Sequence, residues 1–271
     1  MMATERKVDI PTVAGIAALI YIVSVLIHEA GGHGGACLAL GQHPVAWSAY
    51  YFDCDTHAAP AWKYRVVAAA GSTVNLVAAL ISAVWIKTRL ARPAQLGLGT
   101  VALWLFFMVN ALTWSGYFLF SGVAGIGDWG TQPQSVLSDI SHPYLARLAM
   151  AVIGGGLYYL CIRIGARWLA RIVGGARRDL ARRIAFTAYV TGGVTALLIG
   201  LLNPIGVFIV LASAAASTLG GTVGLFSTVQ FMPAQPAETD FTLPRNWFWI
   251  FAGIIGAAAY GAVLGPTIQL G

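Results

Sequence analysis

The sequence predicts an all-α polytopic membrane protein with six or seven transmembrane helices and a short extended, β-like segment after the first helix. Three observations predict it. The chain is 58% hydrophobic with a mean hydropathy of +0.75 and only 10% charged residues, and a water-soluble domain of 271 residues could not hide that much apolar surface. Apolar runs of about 20 residues, the length that crosses a bilayer as a helix, recur along the whole chain. Backbone groups in lipid must bond within their own segment, so helices are the default for these runs. Third, the basic residues are distributed unevenly. With the N-terminus in the cytoplasm, thirteen Lys and Arg fall on inner segments, and Lys63, Arg65 and Arg147 alone fall outside. This is the positive-inside pattern, so the net charge of +6 reads as a topology signal. It does not suggest nucleic-acid binding, because the basic residues flank spans and do not interleave with aromatics.

The expected spans are about 11–33, 64–86, 98–120, 144–164, 184–202, 205–229 and 246–268. The two runs meeting at "LLNPIG" (201–206) read either as a tight hairpin or as one broken span, hence six or seven crossings. The N-terminus has the charged start and apolar stretch of a signal peptide. Its apolar run leads straight into a His/Glu cluster, so it is expected to stay as the first span. Cys37, Cys54 and Cys161 are too few for a disulfide framework or a thiolate metal site; a Cys37–Cys54 bridge on the outer side is allowed but not signalled. The Pro-rich stretch 231–246 reads as a loop between spans, leaving 1–271 as a single integral membrane domain in a multi-pass cell-membrane protein. Arg163, Arg167 and Arg171 recur every four residues and read as a snorkelling cytoplasmic helix end.

Function centres on "LIHEAGGHGG" (26–35). Glu5, Glu29 and Glu238 are the only glutamates, and Glu29 alone lies in a long apolar segment, between His28 and His33. An ionisable residue at membrane depth needs a partner, water or metal. Histidines four apart on a helix grip one zinc ion, whereas His28 and His33 are five apart, about 140° around an ideal α-helix. A π-bulge absorbs the extra residue, and Gly31, Gly32, Gly34 and Gly35 make the backbone permissive for one. The string also resembles the HExxGH motif of the dipeptidyl peptidase III family, over six residues. The segment 43–53, "HPVAWSAYYFD", reads first as an interfacial aromatic belt. Alternatively it is a strand with Pro44 at an edge, able to pair with an extended substrate. His43, Asp53, Asp55 and His57 show no tight ligand spacing.

A longer resemblance covers about residues 20–130. "HEAGGH" is followed by "GQHPVAWSAYYFDCD", then by "VVAAAGSTVNLVAALI" with Gly71 and Asn75, then by a third apolar run leading to "SGVAGIGDWG" with Asp128. In this order the motifs resemble the site-2 protease family of zinc-dependent intramembrane proteases, with HExxxH in place of HExxH and Asp128 in a Gly-Asp-Trp context. The resemblance implies a metalloprotease core at about 11–130 with additional transmembrane helices over 140–271. It implies that Zn2+ is held by His28, His33 and Asp128, that Glu29 is the general base, and that Asn75 polarises substrate or helps hold the reacting oxyanion. The implied activity is hydrolysis of transmembrane or membrane-associated protein substrates, in contact with membrane lipid. The charge count places this site toward the outer face, opposite to well-known bacterial members of the family. The alternatives are a non-hydrolytic ion- or proton-coupled transporter and an inactive protease-like scaffold; the small residues in the later spans suit tight bundles or a gated path.

Overall fold

The architecture follows from helix starts and stops written into the chain. In the computed structural model, which describes residues 8–92, 94, 96–205, 207, 210–234 and 241–271, α1 (Ile10–Leu26) opens on Asp9. The Asp9 carboxylate accepts from the Thr12 amide at 3.0 Å and the Thr12 hydroxyl at 2.7 Å, an N-cap reinforced by Pro11 in the first turn. The chain then runs through a π-helical turn, Ile27–Gly34, into α2 (Gly35–Ala39), so 30 residues form one continuous apolar rod. A hairpin of β1 (His43–Trp47) and β2 (Phe52–Asp55) follows, then α3 (Ala61–Leu90), α4 (Leu98–Ala124), α5 (Pro143–Val173) and α6 (Arg178–Gly200). The first rod and these four helices are long and apolar enough to span a bilayer. Glu5, Arg6, Lys7, Gly206 and Glu238 lie outside the described residues.

The run expected at 205–229 is not one regular helix. It consists of a π-helical segment, Val210–Gly220, a short α7 (Gly224–Thr228) and a 3-10 turn, Val229–Phe231. It nevertheless carries the chain from one end of the bundle to the other. Asn203, just after α6, bonds Ser48 beside the hairpin at 2.8 Å, while the carbonyl of Met232 accepts from Arg178 at the opposite end of α6 at 3.1 Å. The last helix, α8 (Trp247–Leu264), starts at that second end, where the Asn246 amide donates to Thr12 at 2.9 Å. It finishes at the hairpin, where the Leu264 carbonyl accepts from Ala49. Among the described residues there are thus six long helices, and between α6 and α8 a broken stretch that also runs the length of the bundle. Close helix approach is set by glycine: a Cβ on Gly253 of α8 would lie 2.4 Å from the Gly15 carbonyl oxygen of α1.

The breaks in that stretch are capped by tyrosines on three neighbours. Tyr158 of α5 donates to the Gly221 carbonyl at 2.9 Å and accepts from the Gly224 amide at 2.7 Å. Tyr189 of α6 donates to the Leu219 carbonyl, and Tyr21 of α1 bonds the Thr222 hydroxyl at 2.6 Å. Irregular backbone at membrane depth persists only where such partners are built in.

The segment after the first helix is a strand and not simply an aromatic belt. β3 (Ile268–Gln269) joins the hairpin in the order β2-β1-β3, all antiparallel. β1 is therefore the central strand, but β3 pairs only with Ala46 and Trp47, so Pro44 lies beyond its reach, at an irregularity in the β1–β2 register. Cys37 of α2 and Cys54 of β2 are joined in a disulfide, a pairing the sequence spacing did not signal.

Candidate metal centre

The glycine-rich stretch at 31–35 folds as the π-helix that the His spacing requires. In an i→i+5 helix, residues five apart stack over one another, and here the His28 and His33 ring centroids are 4.9 Å apart. Their Nε2 atoms lie 3.3 Å apart. Asp128 comes from the loop after α4, which leaves the helix through Gly125 and Gly127 in the left-handed region, at φ of 77° and 86°. Its Oδ2 stands 3.3 Å from His28 Nε2 and 3.5 Å from His33 Nε2. That oxygen is sealed from solvent and makes no hydrogen bond.

Both imidazoles are held from behind. His28 Nδ1 donates to Asn75 Oδ1 at 2.6 Å, and His33 Nδ1 donates to the Val67 carbonyl at 2.7 Å. The Asn75 amide is oriented in turn, because its Nδ2 donates to Asn110 Oδ1 at 2.8 Å and to the Ser24 carbonyl at 3.4 Å. With each Nδ1 carrying the proton, each neutral ring turns the lone pair of Nε2 toward the other and toward a carboxylate. Three electron-pair donors facing one point repel one another unless a cation sits between them. Ligands about 2.0–2.1 Å from an ion at tetrahedral angles lie about 3.3–3.4 Å from one another, close to the separations seen here. Among the described residues, this is the one group of three or more His, Cys, Asp or Glu with ligand-type atoms gathered in this way; His43, Asp53, Asp55 and His57 form no such group.

Helix α3 supports the centre at three positions, Gly71, Ser72 and Asn75. Gly71 leaves room for both rings, since a Cβ there would lie 2.5 Å from His33 Nε2 and 2.6 Å from His28 Nε2. Ser72 accepts from Trp129 Nε1 at 2.8 Å and so anchors the residue next to Asp128. Asn75 aims His28. A Cβ on Gly32 would meet Gly71 Cα at 2.5 Å, so paired glycines bring the π-helix and α3 into backbone contact. Asn75 is fully buried behind the His28 ring and is not among the residues that line the cavity.

A cavity of about 710 Å³ opens over the centre, and Glu29, His33, Asp128 and Tyr117 line it. β2 forms one wall and the broken stretch another, through Ala216, Ser217 and Gly221. Behind Glu29 a second space of about 20 Å³, lined by Ser24, Thr113, Ser217 and Thr222 among others, has room for a single water. Sequence reasoning missed Asn110, Tyr117, Trp129 and the Val67 carbonyl. Asn110, a second amide inside an apolar run, carried a usable signal; the Val67 carbonyl carried none, because backbone leaves no mark in a sequence. No known protein-family model matches this chain, and no curated protein or solved structure matches it either.

Proposed function

We propose that the chain is a zinc-dependent peptidase of the membrane or its interface, as its resemblance to the site-2 proteases implies. The observation that carries this reading is the convergence of two backed imidazole lone pairs and a sealed carboxylate oxygen, beside a buried glutamate, on a cavity floor. Two nitrogens and one oxygen at tetrahedral separations suit zinc over the octahedral, all-oxygen preferences of magnesium or calcium. When bound, zinc supplies a Lewis acid and lowers the pKa of a coordinated water toward about 7. His28, His33 and Asp128 would hold the ion beside the cavity. Glu29 accepts the proton of the attacking water and delivers it to the departing amine. The edge of β2 along the cavity wall offers backbone groups to a substrate segment unwound into a strand.

The same reading orients the chain. Disulfides persist in oxidising compartments, so Cys37–Cys54 sets the hairpin end of the bundle outside the cytoplasm. Arg178 and Arg245 sit at the other end, in accord with the positive-inside count and a cytoplasmic N-terminus. The test is zinc content together with cleavage of fluorescently labelled casein by detergent-purified wild type, His33→Ala and Glu29→Gln. Wild type is expected to hold one zinc and cleave, His33→Ala to lose both, and Glu29→Gln to keep the metal while losing turnover by about 10²–10⁴-fold. Zinc-free wild type with full activity would falsify the reading. An ion flux that Glu29→Gln abolishes, without any cleavage product in wild type, would favour the transporter instead.

A further inference from the structure

Hydrolysis at this centre, if the preceding reading holds, needs a donor for the scissile carbonyl oxygen as it takes on charge. Asn75, the amide that the family resemblance offers for this purpose, is committed to His28, Asn110 and Ser24. We propose that Tyr117 is the catalytic residue that supplies this donor.

The tyrosine inventory singles it out. The chain has ten tyrosines. Tyr21, Tyr158 and Tyr189 cap the broken stretch. Tyr50 and Tyr260 donate to the Ala196 and Ala49 carbonyls. Tyr51 bonds Thr267, Tyr64 donates to Asp139, and Tyr159 accepts from Arg163. Tyr144 is a surface residue, 82% exposed. Tyr117 alone is set into the protein interior with no hydrogen-bond partner for its hydroxyl among the described residues. That hydroxyl is not one of the sealed orphan atoms, and Tyr117 lines the cavity over the centre. A phenol held at membrane depth without a protein acceptor is costly unless the cavity's occupant supplies one.

Its position is tied to the metal centre. The Tyr117 ring stacks on His28, with centroids 4.8 Å apart and planes 22° from parallel. Tyr117 lines both the main cavity and the small space behind Glu29, so it stands beside the base as well as beside the ligand. Thr113 and Ser217 also line these spaces, but a phenol is intrinsically a stronger hydrogen-bond donor than an aliphatic hydroxyl, and only Tyr117 stacks on a ring of the centre. The step balances without consuming the tyrosine. The water oxygen bonds the carbonyl carbon, and the carbonyl π pair moves onto the oxygen that Tyr117 faces. One water proton passes through Glu29 to the amine nitrogen as the C–N bond breaks, and Tyr117 keeps its own proton. A preorganised donor of this kind acts mainly on the charged transition state, so its loss appears in kcat.

The experiment compares wild type and Tyr117→Phe for zinc content, kcat and KM on labelled casein, and Kd for acetohydroxamate, a small zinc-binding probe with an acceptor oxygen. Phenylalanine keeps the ring stacked on His28. The expected result is one zinc in both proteins, KM within about twofold, kcat lowered about 10²–10³-fold, and acetohydroxamate bound about tenfold more weakly, the loss of one hydrogen bond. Wild-type kcat in Tyr117→Phe overturns the proposal, as does loss of zinc, which would make the ring a prop for His28. If wild type binds zinc but cleaves nothing, the peptidase reading fails. The acetohydroxamate comparison then decides alone whether Tyr117 donates into the cavity.

Discussion

Replacing Gly71 with alanine tests the geometry of the metal centre most directly, because two effects of opposite sign fall on one atom. In the interior of a helix, Gly→Ala ordinarily stabilises by about 1 kcal/mol. Here the added methyl would lie 2.5 Å from His33 Nε2 and 2.6 Å from His28 Nε2. A comfortable carbon contact is about 3.5 Å, so both rings must retreat by about 1 Å. Metal sites tolerate about 0.2 Å in ligand distance. Zinc affinity should therefore fall well beyond the 10–100-fold typical of losing a supporting hydrogen bond. The assay is zinc titration of chelator-stripped protein in detergent, with thermal unfolding followed with and without metal. Wild type should gain stability on adding zinc, by about 2.7 kcal/mol at a hundredfold excess over Kd, and Gly71→Ala should gain nothing. A Gly71→Ala protein with one zinc at wild-type affinity would refute the placement of the two histidines against α3.

Asn75→Ala removes the acceptor from His28 Nδ1 and frees that ring to turn. Zinc Kd should rise about 10–100-fold, and an unchanged Kd would show that His28 needs no such support. Cys54→Ala opens the bridge to Cys37, which closes a loop with a sequence separation of 17, and should cost about 3 kcal/mol of stability. Thiol counting on protein from its native membrane should find Cys161 alone free; three free thiols would contradict the bridge. Burial at Asp9 acts to raise its pKa, but the Thr12 hydrogen bonds and Arg245 at 3.1 Å outweigh it and lower the value. The folded pKa is depressed, so the stabilisation is fully present above the unfolded value of about 3.9 and is lost as pH falls through the folded one. Asp9→Asn should accordingly lower the melting temperature at pH 7 and converge on wild type in acid. An equal deficit at both pH values would assign the effect to the cap hydrogen bonds instead.

What the sequence made legible depended on whether a signal was local. The π-helix could be foreseen because an i,i+5 histidine pair within four glycines leaves few other ways to bring two rings together. The multi-pass class followed from composition alone. Asp128 required order along the chain, since nothing in Gly-Asp-Trp marks a ligand; its placement beside the histidines depends on Trp129 reaching Ser72, a contact across 57 residues. The bond from His28 to Asn75 was not legible, because a helix period cannot say whether an amide looks into a cavity or at the back of a ring. The two-residue β3, some 220 positions later, gave no sign that it would pair with β1. The broken stretch was half visible in its glycines and small residues, but its capping phenols sit on three other helices.

Those phenols bear on the order in which the bundle can assemble. Between Leu219 and Gly224 the chain cannot close its own hydrogen-bond ladder, and lipid offers no substitute. The segment can therefore take its final form only after α1, α5 and α6 stand around it and present their hydroxyls. The wall nearest Glu29 is in this sense the last piece set, and the cavity is completed by neighbours already in place.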